Sequence, residues 1–414
     1  MRETTTDLEG SRPRPSRRWI IALVLFFITS AVEALGVSQV FAFMPLYLQE
    51  MGLPKEEVPH WVGLMSSLIF VLGLPLVPLW GVWADKYSRK AVIIRSAIVE
   101  AGVFVLVALS RQPWQLAGSL MMVGFQLGNT GVMLSSLRDL APKRRLGTAI
   151  AVFGASSPVG FAVGPALGGI MIDGLHTSLS MVYTVSAALS MGTAIMLGIG
   201  FREVRPKTVP SGRVLDLAYG AIRGVFTDLT TRGLFALFGT AFLARQMSSP
   251  FLPILVDRLH GTQPGLASAV ALVVGTAALV GGVIAAFAGV IGDRIGFRTV
   301  LAGALLGAGL ALVLMPLAPA VPWLAGANVA YASLNAAVTA MIFGLLATEL
   351  PPERASATLN LVYLPLYISG IIGPSIGALA VTAGIQTTYT LAGVVLGLGG
   401  LFVITRMRRP VVHS

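Results

Sequence analysis

Residues 81–90 read Gly81-Val82-Trp83-Ala84-Asp85-Lys86-Tyr87-Ser88-Arg89-Lys90, and 208 positions later the pattern returns as Gly289-Val290-Ile291-Gly292-Asp293-Arg294-Ile295-Gly296-Phe297-Arg298. Each copy follows an apolar window, sets a carboxylate four residues after a glycine, and leads through basic residues into another apolar window. Three more matches keep nearly the same offset. Pro45 in Met44-Pro45-Leu46-Tyr47-Leu48 answers to Pro253 in Leu252-Pro253-Ile254-Leu255; Asp139-Leu140-Ala141-Pro142 answers to Glu349-Leu350-Pro351-Pro352; Gly164-Pro165 answers to Gly373-Pro374. Matches that recur in the same order define an internal repeat, so the chain is two copies of one unit.

What lies between the matches is apolar. Of 414 residues, 55% are hydrophobic and 11% charged, against roughly 25% charged in soluble domains. Mean hydropathy is +0.82. This excludes a soluble enzyme and points to bilayer-spanning helices, while 47 glycines and 24 prolines point to close helix packing and kinks. With no cysteine, disulfides, thiolate metal sites and cysteine nucleophiles are excluded. His60, His176, His260 and His413 fall in predicted loops or the tail, so no metal or other cofactor is expected. None of the five lysines follows a glycine, which removes the phosphate-cradling loop that ATP-driven transport needs.

Windows free of Asp, Glu, Lys and Arg run over 61–84, 112–137, 146–172, 174–201 and 259–292. Two of double length, 299–348 and 355–405, must fold back, at Pro316, Pro319 and Pro322 and near Gly384 to Thr388. Three more carry isolated charges: 19–48 with Glu33, 91–110 with Arg95 and Glu100, and 233–256 with Arg245. The total is twelve spans of about 20 residues each. Of 29 Lys and Arg residues, 25 fall on one side of this arrangement; Lys55, Arg111 and Arg258 fall on the other, and Arg245 is intramembrane. Under the positive-inside rule both termini are cytoplasmic. The net charge of +11 is thus an orientation signal, and no nucleic-acid partner is expected. The apolar stretch after the basic tail is too long for a signal peptide and reads as an uncleaved first span. The expected organisation is a basic tail 1–18, a six-helix bundle 19–201, a cytoplasmic linker 202–232, a second bundle 233–405 and a tail 406–414.

From Trp19 to Thr405 these residues resemble the major facilitator superfamily. The loop Gly81 to Lys90 is similar to its signature between the second and third spans, and Gly289 to Arg298 to the second-half copy. Gly160-x-x-x-Gly164-Pro165-x-x-Gly168-Gly169 in the fifth span is similar to a motif associated with antiporters, especially twelve-span drug-proton exporters. The resemblance implies an all-α membrane protein of twelve transmembrane helices in two pseudo-symmetric six-helix bundles. It also implies a cytoplasmic gate that forms when the cavity closes to the cytoplasm. Asp85 would meet the start of the eleventh span and Arg89 would meet Asp139, with Asp293, Arg298 and Glu349 as an approximate copy; the arginines do not align, since Arg89 maps onto Phe297. Gly81 and Gly289 are read as helix-packing positions, and the fifth-span glycines as a bend pressed against the eighth span. One departure stands out: such exporters carry an arginine within the fourth span, where this chain has Leu120.

An ionised group at the bilayer centre costs about 2.5–3.5 kcal/mol on insertion scales, so Glu33, Glu100 and Arg245 are expected to face protein or water. By resemblance the first and seventh spans line the central cavity. Glu33 is therefore the expected proton-coupling carboxylate, facing Arg245 in an exchangeable or permanent pair, because burial penalises the charged form. Glu100 is expected to make a structural hydrogen bond and is the next carboxylate to test; Arg95 is expected to snorkel to the cytoplasmic face. Polar stripes at helical spacing add Gln126, Asn129, Met133 and Ser136, then Asn328, Tyr331, Asn335 and Thr339, then Asn360, Tyr363 and Tyr367, with Phe238 and Phe242 ahead of Arg245. Interhelical bonding is the plain alternative for each.

The expected function is a secondary active transporter working by alternating access, exporting small amphipathic compounds against protons, of multidrug type, in the cell membrane and as a monomer. The alternative is a sugar or metabolite exporter or facilitator without proton coupling. A lipid flippase or membrane enzyme is weaker, since no nucleophile-base constellation is present. The topology is directly testable in this cysteine-free chain: a cysteine placed at Lys207 should react with membrane-impermeant maleimide only after the membrane is opened, and labelling from outside intact cells would contradict the orientation.

Overall fold

The computed structural model describes residues 18–206, 211–225, 229–349 and 364–406. All regular structure among them is helical. Eleven helices are long and apolar enough to cross a bilayer: Arg18–Glu50, Val58–Lys86, Arg89–Leu109, Pro113–Leu140, Lys143–Gly174, Leu179–Gly200, Leu266–Ala285, Phe297–Leu317, Val321–Leu345, Leu364–Val381 and Ile385–Thr405. Between the sixth and seventh of these lies a further rod, Leu229–Ser248 continued through a tight turn into Leu252–His260. Arg232, Arg245, Asp257 and Arg258 interrupt its apolar run. It completes a set of twelve, numbered here first to twelfth span in chain order.

In lipid every backbone donor and acceptor must be met inside the protein, and the span ends show how. Ser88 starts the third span by accepting from the Ala91 amide at 3.0 Å, and Ser178 starts the sixth by accepting from Met181 at 3.3 Å. Glu203, just past the sixth span, accepts from the Arg89 amide at 3.0 Å and from the Ser88 hydroxyl. An anion thus sits at the positive end of the third helix.

The first span packs against the fifth and sixth, the third against the sixth, and the second against the fourth. In the other half the seventh packs on the eleventh and twelfth, and the tenth on the eighth and ninth. The fifth-span glycines set the tightest of these contacts. A Cβ on Gly160, Gly164 or Gly168 would overlap the Ala31 carbonyl, the Leu35 carbonyl and Ser38 hydroxyl, or the Phe43 ring, all on the first span. The expectation that this motif presses on the eighth span is therefore corrected for three of its four glycines. Gly169 alone faces that way, its Cβ position 3.1 Å from the Ser268 Cα. The first span is the rod that needs the room, because its fully buried Gln39 reaches across to donate to the Gly164 carbonyl at 3.0 Å and accepts from Ser186 at 2.5 Å.

Contacts between the halves occupy one end of the molecule. Second and eleventh spans meet where Gly63 faces Ala378 and Pro374, where Ser67 bonds Ser375 at 3.0 Å, and where Phe70 fits against Gly370. Fifth and eighth meet from the Asp173 carboxylate, 2.6 Å from the Ser268 amide, through Ala162 and Gly275 to Pro158 and Gly282. Lys55 and Asp257 add an ion pair at 3.2 Å. Toward the basic loops the glycines among the described residues are not packed in this way. A Cβ on Gly81, Gly147, Gly154 or Gly289 would meet nothing within 4 Å, so Gly81 and Gly289 are not packing positions in this state. A linker helix, Val214–Val225, lies along the basic end of the second span, with Tyr219 donating to the Pro75 carbonyl at 3.0 Å and Lys86 to that of Gly212 at 2.6 Å. The terminal tails lie outside the described residues.

Replacing Gly164 by Val should cost roughly 1–3 kcal/mol, the usual penalty of overpacking. The detergent-purified variant should melt clearly below the wild type, whereas Gly147→Ala should melt with it; equal melting of Gly164→Val would contradict the packing described.

Candidate functional site

The fourth span is not one helix. Pro113–Met121 gives way to a tighter turn over Met122–Phe125, then to an unwound stretch ending at Gly128, and only then to Asn129–Leu140. Gly128 has φ of +100°, a conformation that glycine alone enters without strain. Its Cα also lies against Trp80, whose Cβ would stand 3.3 Å from an added methyl. The break leaves the carbonyls of Gln126 and Leu127 without helical partners. One guanidinium nitrogen of Arg95 on the third span donates to both, at 3.2 and 3.1 Å, and Ser96 also donates to Gln126. The Arg95 plane lies on the Trp80 ring, 3.7 Å from its centroid, a stacked cation–π arrangement. Arg95 was expected to snorkel outward. Two unsatisfied carbonyls within the membrane hold it inward instead.

Around this break the first half gathers its ionisable groups. Asn129, the first residue of the second half-helix, donates to Glu33 at 2.9 Å. Glu33 is half-buried, and the cation acting on it is Arg95. Gln126, 2% exposed, lies beside both Glu33 and Glu100. Glu100 is 3% exposed, feels Glu33 as a like charge, and has one carboxylate oxygen with no hydrogen-bond partner. The expected structural hydrogen bond of Glu100 is not made among the described residues: the Ser190 hydroxyl on the sixth span and the Gln126 amide nitrogen stand next to it, and both are buried without a hydrogen-bond partner. Two carboxylates in one site cannot both ionise cheaply, so the cluster is suited to holding one proton.

Arg245 does not pair with Glu33. Its charge acts on Tyr331 of the tenth span, and among the described residues it makes no ion pair. The expected Glu33–Arg245 pair is corrected: Glu33 is engaged by groups of its own half, to which the fourth-span break brings Asn129 and Arg95. Leu120 is fully buried beside a void of about 20 Å³ whose wall includes Phe104 and Gln126.

Other stripe residues turn to packing. Asn328 donates to the Val273 carbonyl at 2.9 Å, Thr339 to that of Asn335 at 3.1 Å, and Ser136 to that of Val132 at 2.8 Å, while Met133 is wholly buried. Tyr367 packs across the halves on Phe70, ring centroids 6.2 Å apart. Phe242, half-buried, meets Phe238 edge-on at 4.5 Å. Asn360 and Tyr363 lie outside the described residues.

At the basic end, Arg89 is buried and bridges two carboxylates: Asp85 at 2.8 Å within the same turn and Asp139 at 2.6 Å at the end of the fourth span. All three belong to one half, and their pairs are made within it. In the repeat, Asp293 is exposed and makes no ion pair among the described residues, Arg298 is half-buried, and the Glu349 side chain lies outside the described residues. Three participants had not been expected from sequence: Arg95 in its inward role, Ser190 and Glu203. The signal that could have located the first is the run Gln126-Leu127-Gly128-Asn129, polar and breakable within an apolar window.

A family model described as Major Facilitator Superfamily matches residues 19–284 and 234–414. Among curated relatives, the multidrug resistance protein MdtG of Proteus mirabilis is 25% identical over 411 residues, covering 96% of this chain and 98% of its own. A multi-drug resistance efflux pump PmrA homologue of Lactococcus lactis is 26% identical over 283 residues, covering 67% of each. Among solved structures, a bacterial homologue of the human lysosomal transporter spinster superposes with a TM-score of 0.76 at 15% identity over 95% of this chain and 97% of its own. The nucleoside transporter NupG does so at 0.75 and 14%, over 93% and 98%; at these identities the likeness is one of fold. The chain is a multi-pass membrane protein and belongs to the Major Facilitator Superfamily.

Proposed function

We propose that this protein is a proton-coupled exporter of small amphipathic compounds, of multidrug type, working by alternating access in the cell membrane. The carrying observation is the carboxylate pair Glu33 and Glu100, set at mid-span against a hinge in the fourth helix. The names of the curated relatives support the drug-export part of the reading. With the basic loops in the cytoplasm, the contacts Lys55–Asp257, Asp173–Ser268 and Ser67–Ser375 support reading this state as shut to the exterior.

In this state Glu33 accepts from Asn129, faces the positive end of the half-helix Asn129–Leu140 and lies near Arg95, three attractions that act on its ionised form. A proton arriving from the exterior on Glu33 weakens all three attractions. The half-helix then turns about Gly128, and its far end carries Asp139 and hence Arg89 and Asp85 with it. One 12-residue rod thereby links the proton site to the basic loop, where Gly81 and Gly289 leave the space that inward closure needs. The sugar or metabolite reading rests on the polar stripes and on Leu120 in place of a fourth-span arginine; of the stripes, Asn328 and Thr339 are engaged in packing bonds.

In inverted vesicles, Glu33→Gln should fold, still exchange substrate across the membrane and lose accumulation driven by an imposed pH gradient. Unaltered pH-driven accumulation by Glu33→Gln would remove the assignment. Asp85→Asn should shift the balance of inward- and outward-open states, read from cysteine accessibility at Thr262; unchanged accessibility and flux would remove the basic loop from the cycle.

A further inference from the structure

Arg245 is a guanidinium at the middle of the seventh span with no carboxylate to answer it among the described residues. It is half-buried, so part of it remains open to a ligand. Beside it the second half holds hydroxyls without partners. Tyr331, 6% exposed and within reach of the Arg245 charge, has a hydroxyl that lies beside Ser248 without completing a hydrogen bond to it; the hydroxyl of Tyr389, 1% exposed and within electrostatic reach of Tyr331, has no partner either. Buried polar groups in proteins are paired as a rule, and an unopposed charge at mid-membrane marks a functional site. All three groups carry protons to donate, so what completes them is a ligand that brings acceptors and negative charge. Phe242, three residues before Arg245 and half-buried edge-on to Phe238, offers an aromatic face next to that charge.

We infer that Arg245 and Tyr331 form the substrate's anion site, and that the carried compounds are amphipathic organic anions: a carboxylate, sulfonate or phosphonate on Arg245, with the apolar body against Phe242. This rests on the exporter reading and names its substrate class. The charges of the two halves are then divided by role. Glu33 and Glu100 in the first half hold the proton, Arg245 in the second holds the anion, and the two are coupled through which face is open. The division has an electrical consequence. An anion leaving the cell and a proton entering it both move positive charge inward, so an inside-negative potential drives export even without a pH gradient. A carrier exchanging one monovalent cation for one proton would be indifferent to that potential.

The test uses the purified full-length protein in liposomes, with carboxyfluorescein as the anionic probe and ethidium as a cationic one of similar size. Wild type should release trapped carboxyfluorescein, faster when a potassium–valinomycin potential makes the loaded side negative. Arg245→Gln should lower that flux roughly tenfold or more, as expected for loss of a charge-assisted bond, and Arg245→Lys should restore much of it. Melting temperature in detergent identifies any variant that fails to fold, and the Lys variant then decides. A Glu33→Gln variant in which carboxyfluorescein release still responds to a pH gradient removes the proton reading while the anion site stands. Wild-type transport of ethidium without carboxyfluorescein, or Arg245→Gln flux equal to wild type, would overturn the anion site.

Discussion

A transmembrane backbone has no water to fall back on, and the fourth span breaks that rule at its centre. Unwinding at Gly128 frees two carbonyls in the middle of the first half, and each would cost several kcal/mol if left in hydrocarbon. Arg95 answers both. Once the guanidinium is committed there, it needs a surface and a counter-charge. Trp80 supplies the first and Glu33 the second. The polar centre of this half follows from one helical defect, since without it Arg95 would have no reason to point inward and Asn129 would not begin a helix beside Glu33.

The same defect divides the fourth span into a fixed part and a lever. Pro113–Met121 is anchored among the second and third spans, while Asn129–Leu140 is held at one end by Glu33 and at the other by Arg89. Both attachments are electrostatic and short, and both involve groups that ionise. Contacts at the opposite face are of another kind. Gly63, Gly169, Gly275 and Gly370 let backbone and side chain from the two halves come within van der Waals distance, and dispersion falls off steeply with separation. Such an interface is either made or lost, which suits a two-position device better than a graded one.

Most of the fold was legible because lipid reads hydropathy and charge so literally. The uncharged windows became helices, the repeat offset placed corresponding loops, and the basic residues gathered at one end. The fifth-span motif was legible as close packing but not as to partner, because Gly160, Gly164 and Gly168 sit on one helical face and Gly169 on the next, and only the first span's Gln39 and Phe43 decide which neighbour each meets. The site was legible in its carboxylates and in Asn129 and Gln126, which stand out against apolar surroundings. Its cations were misplaced. Arg95 lies near enough to a span end to look like a snorkelling residue, and nothing in a one-dimensional pattern shows that a neighbouring helix is about to release two carbonyls. Arg245 is paired with Glu33 in the sequence by opposite charge and by the cavity-lining place that the resemblance gives the first and seventh spans, whereas in the structure Glu33 meets Asn129 and Arg95, and Arg245 acts on Tyr331.

The central claim is that protonation within the Glu33–Glu100 cluster decides which face is open. Spin labels on cysteines at Glu56 and Thr262, which flank the exterior groove in a chain with no native cysteine, report that opening as a distance. The account predicts that acidification redistributes the distance in the wild type and leaves the double variant Glu33→Gln, Glu100→Gln unmoved across the same pH range. The same pH-dependent redistribution in both proteins would contradict it.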